Sequence, residues 1–99
     1  MAEPRISIEL SEAGDGWSAL VHIDDGRSQT THRVTLRHET YSAITSGAVS
    51  AEQLVLVSFR FLLDREPKES ILPEFDLDVI ERYFPEYPDE IAGYLEPQS

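Results

Sequence analysis

Three histidines, His22, His32 and His38, are the side chains of this 99-residue chain with the widest chemical repertoire. His22 and His32 stand in strand-like sequence, where the pairing of neighbouring strands could bring them together. A zinc site needs three or four converging ligands. The chain has no cysteine, no HExxH and no other paired ligand spacing, so no metal is expected. Serine chemistry needs a base and an acid beside a hydroxyl presented on a sharp turn, and no GxSxG turn is present. The five glycines form neither GxGxxG nor a Walker loop, which leaves nucleotide binding without support. No catalytic residue and no cofactor is assigned, and the chain is expected not to be an enzyme.

What remains is charge and aromatic surface. Nineteen Asp and Glu stand against eight Lys and Arg, a formal charge of −11. Eleven of the acids, but only three of the bases, lie from Asp64 onward. Such a field repels phosphate backbones and anionic membranes at long range and steers basic proteins inward. Within this acidic third, Tyr83, Phe84, Pro85, Glu86, Tyr87 and Pro88 set amphipathic aromatics among acids, the composition of many protein-binding surfaces. Tyr83, Tyr87 and Glu86 are therefore the expected partner-binding residues, while Phe84 and Ile91 are assigned to the core. The expected function is that of a protein-binding or regulatory domain with a basic protein as partner. Between Arg27 and Arg60 the balance reverses, four arginines against Glu39 and Glu52, so a local basic patch is compatible with the overall charge.

The elements that must position these residues follow from periodicity. At 40% hydrophobic content, residues 1–99 suffice for one α+β domain and are too few for two. Ile6, Ile8 and Leu10 alternate with polar residues as on a half-buried strand. A loop is expected over Glu12 to Gly16, then a second strand with Trp17, Ala19, Val21 and Ile23 on one face. Asp24, Asp25 and Gly26 signal a hairpin turn. The third strand is expected from Ser28 to Leu36, with His32, Val34 and Leu36 opposite Thr31, Arg33 and Thr35. A three-stranded antiparallel sheet at the N-terminus is the result.

A short helix is expected over His38 to Thr45, stopped near Gly47. Ser50 and Gln53 make a capping pattern before a longer helix from Ala51 to Arg65. Eight of the ten residues from Leu54 to Leu63 are apolar, so this helix must be the central core element, buried on several sides. Arg60 is expected to pair with Asp64 on its polar stripe. Pro67 and Pro73 bracket a connector, Asp76 is placed as the N-cap of a helix ended by Pro85, and Pro88 opens one more short turn. Leu77, Ile80 and Phe84 face inward from the first of these shorter C-terminal helices. The final EPQS is expected to fray.

The succession of a strand ending Val34, Thr35, Leu36, a short helix, then Ser50, Ala51, Glu52, Gln53, Leu54 and a long apolar helix resembles the ribbon-helix-helix arrangement of DNA-binding repressors and antitoxins. It covers about Arg33 to Arg65, and the hairpin ahead of it is similar to antitoxins of the HicB type. The resemblance implies a dimer in which the strand pairs with its copy, Arg33, Thr35 and Arg37 face DNA, and Ser50 at the helix start contacts phosphate. The first helix is about one turn shorter, and two strands precede the ribbon, which the simple family lacks. The last third also resembles small uncharacterised prokaryotic proteins, which implies an ordered domain and no particular activity.

Cysteine-free composition fits a reducing compartment. The opening MAEPRIS lacks the pattern of a signal peptide, and the longest apolar run, Leu54 to Val57, is far too short to span a bilayer. The expected location is the cytoplasm, without membrane contact. A homodimer is compatible with the sequence.

Overall fold

The computed structural model describes residues 4–95, so the expectation of a frayed EPQS end lies outside the described residues. Strand β1 (Arg5–Ala13) and strand β2 (Gly16–Asp24) pair antiparallel in register from Arg5 with Asp24 to Ala13 with Gly16. The hairpin is tighter than expected, because pairing continues through Glu12 and only Gly14 and Asp15 remain as the loop. Gly14 supplies the positive φ of +53° that a two-residue loop requires. Gly16 serves a different need. A Cβ built on it would lie 1.9 Å from the Leu36 carbonyl oxygen, so only glycine lets the strands approach there.

Strand β3 (Gln29–Arg37) pairs antiparallel with β2 after a carboxylate-built turn. Asp24 accepts the Gly26 N–H at 2.8 Å, and Asp25 accepts those of Arg27 and Ser28 at 2.9 and 3.0 Å. Alternation then separates the faces. Ala19, Val21, Ile23, Val34 and Leu36 are buried, with Ile6, Ile8 and Leu10 half-buried beside them on β1. The opposite, open face is mostly polar, with Leu20 half-buried between Glu9 and Arg33.

Helix α1 (His38–Thr45) closes on Ser46, which takes a left-handed conformation ahead of Gly47. Trp17 packs against His38 and Tyr41 at its start. Helix α2 (Ala51–Leu63) is capped by the Ser50 hydroxyl, which accepts the Gln53 N–H at 3.1 Å. It is buried on several sides, as its composition demands. Phe59 meets His32 and Phe75 on the sheet side, whereas Phe61 meets Phe84, Tyr87 and Tyr94 on the other. Asp64 accepts the Tyr94 hydroxyl in place of the expected pairing with Arg60.

The C-terminal third departs most from expectation. After a 3₁₀ turn (Lys68–Ser70), strand β4 (Glu74–Asp76) adds parallel to β3, so the sheet has four strands in the order β1-β2-β3-β4 and is mixed. A three-residue strand behind a proline shows no alternation in sequence, which is why it was not expected. Asp76 does accept a backbone N–H, that of Asp78 at 3.0 Å, but as a turn at the strand end. Helix α3 (Val79–Tyr83) begins later, with Leu77 and Ile80 buried and Phe84 half-buried beneath it. Helix α4 (Tyr87–Leu95) is longer than the expected turn, with Pro88 in its first turn and Ile91 in the core. No helix among the described residues is long and apolar enough to cross a membrane.

Candidate functional site

Only two large apolar side chains among the described residues are exposed, Leu72 at 43% and Tyr83 at 66%, and both border the same groove. The groove measures about 320 Å³, with Leu62, Ile80, Phe75 and Phe84 among its lining and Glu66 on its wall. Each part is held by a different element. Leu72 sits on the connector that His32 pins from beneath: the buried ring lies 2.8 Å from the Leu72 carbonyl and 2.9 Å from the Thr30 hydroxyl. A carbonyl only accepts, so Nδ1 donates to Leu72. Phe75 is the middle residue of β4, and Tyr83 is the last of α3.

The strand beside this groove ends the sheet. Arg33 N–H donates to the Pro73 carbonyl at 2.8 Å and Leu77 N–H donates to the Thr35 carbonyl at 2.9 Å. Strand alternation therefore turns the backbone of Phe75 toward β3 and that of Glu74 and Asp76 outward. Their N–H and C=O groups form a short edge that is free among the described residues. On its two sides lie the apolar groove, on the Phe75 face, and the carboxylates of Glu74 and Asp76, on the open face.

The expected binding residues do not stand together. Tyr83 borders the groove. Tyr87 is buried at 2% exposure, its hydroxyl 2.7 Å from Ser58 Oγ, and burial pushes its pKa up to about 12. It is therefore a core residue, because it opens a helix laid against α2. Glu86 is exposed and accepts from Arg65 at 3.2 Å; its own backbone N–H and that guanidinium hold its carboxyl below the usual value. Arg65 also reaches Glu90 at 3.5 Å and stacks 3.7 Å from the Phe61 ring, so this cluster ties α4 to α2. Leu72, Phe75, Glu66 and Glu74 were missed from sequence. The isolated apolar pair Ile71 and Leu72 before Pro73 was the available signal.

The set carried over for DNA is divided as well. Arg33 is exposed on the open face, while the Thr35 hydroxyl donates to Asp76 at 2.8 Å. Arg37 pairs with Asp78, which also accepts the Thr40 hydroxyl at 2.7 Å. Burial pushes the Asp78 carboxyl up, but Thr40 and Arg37 outweigh it and hold the group low. Ser50 is occupied as the α2 cap. Strand β3 lies between β2 and β4, so it has no free edge over Arg33–Thr35 to pair with a second copy, as the resemblance implied.

The histidines likewise do not converge. His22 faces outward, 3.3 Å from Glu9 and 3.2 Å from Thr31, and His32 faces the core. Among the described residues no group of three or more His, Cys, Asp or Glu is arranged to hold a metal. Two carboxylates and a hydroxyl converge instead on Lys68. This buried ammonium donates to Asp25 at 2.8 Å, Ser28 at 2.6 Å and Glu69 at 2.5 Å, pinning the β2–β3 loop to the 3₁₀ turn. Those contacts raise the lysine pKa and hold Asp25 and Glu69 below their ordinary values. Compared with known proteins, the chain matches no family model, no curated protein and no solved structure.

Proposed function

We propose that this chain is a non-enzymatic docking domain that takes an extended segment of a basic protein partner as a further strand on the free edge of β4. The observation that carries the reading is the coincidence of that edge with the two exposed apolar side chains, Leu72 and Tyr83, at one groove. A strand laid against β4 alternates its side chains. Those on the Phe75 face enter the groove, where apolar residues fit. Those on the other face lie beside Glu74 and Asp76, where Lys or Arg fits. The overall charge of −11 steers such a segment toward the molecule.

Magnitudes make this a weak, transient contact. Covering Leu72 and Tyr83 stabilises by about 2 kcal/mol each, and losing overall motion on association costs about 4 kcal/mol or more. The few outward backbone groups of β4 and the charge pairs supply the remainder. The test is a titration of isotope-labelled protein with synthetic peptides of about six residues, a typical strand length, alternating Val or Leu with Lys. Amide shifts are expected at Glu74, Asp76, Leu72 and Tyr83, fading as salt rises and absent when Glu replaces Lys. Shifts confined to other surfaces, or none, would overturn the reading. Duplex DNA is the second arm. Shifts at Arg33 and Arg37 there would favour the ribbon-type regulator.

A further inference from the structure

The opposite edge of the sheet is longer and carries a different pattern. Strand β1 spans nine residues and ends the strand order, with no described element paired to its outer side. Because Ala13 and Gly16 close a two-residue loop, the hydrogen-bonded pairs with β2 recur at the odd positions of β1. The N–H and C=O groups of Ile6, Ile8 and Leu10 therefore point away from the sheet. Their side chains lie on the core face but are only half-buried, whereas the core-face residues of β2 opposite them, Ile23, Val21 and Ala19, are 0%, 0% and 1% exposed. The hydrophobic layer stops at an unfinished margin.

We infer that a second copy of this chain completes it, the two β1 strands pairing antiparallel about a two-fold axis at Ser7. A two-fold axis through any residue keeps core face beside core face, since residues opposite each other then share parity. Only the charges choose among such axes. With the axis at Ser7, Ile6 lies opposite Ile8 on the core side, and Arg5 lies opposite Glu9 on the open side, each twice. Leu10 then falls opposite Pro4, whose missing donor ends the ladder. Moving the axis to Ile8 sets Arg5 against Ser11 and loses the charge match. Moving it to Glu9 opposes two like charges. Glu9 remains reachable although His22 is near it, its side chain being 73% exposed. The result is a continuous eight-stranded sheet that leaves β4 and its groove free at both outer ends, so this pairing does not depend on the docking proposed above.

Sedimentation velocity over a range of protein concentrations tests the pairing. The unmodified chain is expected to pass from monomer to dimer. Arg5→Glu places a carboxylate opposite Glu9 and is expected to weaken the dimer by about tenfold or more. The double variant with Arg5→Glu and Glu9→Arg restores opposite charges and is expected to return the constant to within about threefold. Ile8→Pro removes an outward N–H that no bond of the fold among the described residues uses, and is expected to be monomeric with an unchanged circular dichroism spectrum. A chain that stays monomeric at millimolar concentration overturns the proposal. So does a double variant as weak as Arg5→Glu alone, or a folded Ile8→Pro variant that still dimerises.

Discussion

Tyr83 and Tyr87 stand four positions apart and share a residue type, yet the fold puts one at the groove and the other in the core. Their substitutions should therefore separate cleanly. Tyr83→Ala is expected to change stability by no more than about 0.5 kcal/mol while removing most of the peptide affinity. Tyr87→Ala empties a site against Phe61 and Ser58 and is expected to cost about 3 kcal/mol or more in urea melts. Alkaline pH probes the same buried hydroxyl. Its pKa rises from the ordinary 10.0 to about 12 on folding, so the folded state holds the proton that the unfolded state has lost. The contribution is intact below pH 10 and disappears as pH rises through about 12, a loss of roughly 2 to 3 kcal/mol. Tyr87→Phe leaves Ser58 without its partner and is expected to be less stable at neutral pH by about 1 kcal/mol or more. Its stability should then fall less steeply than that of the unmodified chain between pH 10 and 12. Parallel pH profiles for the two proteins would contradict the assignment.

At the scale of elements, the long ones were legible because their periodicity is strong. Strands β1, β2 and β3 and helices α1 and α2 lie where alternation, turn residues and the Ser50 cap put them. Strand β4 was not legible, since Glu74–Asp76 is held by hydrogen bonds to β3, some forty residues away in sequence. The groove inherits that difficulty. Its floor is set by where β4 docks, so only Tyr83 could be named in advance, and the neighbouring Tyr87 could not be told from it by composition. Glycine shows how one letter covers two physical causes. Gly14→Ala forces a side chain into a positive φ with open space around it, a cost of about 1 kcal/mol. Gly16→Ala drives a Cβ to 1.9 Å from a main-chain oxygen that cannot swing aside. It is expected to cost about 3 kcal/mol and lower the melting temperature by roughly 15 °C. Equal losses at the two positions in thermal melts would show that close strand approach at Gly16 is not what the fold requires.

The whole molecule is a sheet with helices on one face, a mostly polar open face and two edges of unlike character. Edge strands invite pairing, and chains that avoid it blunt them with charge, proline or short length. Here the short edge, β4, lies beside exposed apolar groups and carboxylates, whereas the long edge, β1, is complementary to itself. The central claim is that the backbone edge of β4, and not negative charge alone, receives the partner segment. Comparing Glu74→Pro with Glu74→Gln in peptide titrations tests it most directly. Both remove the carboxylate, but only proline removes the outward N–H, which no bond of the fold among the described residues uses. The account predicts that Glu74→Gln weakens the Val-Lys peptide by no more than about fivefold, while Glu74→Pro, still folded, loses measurable binding. Equal affinity of the two variants would contradict it.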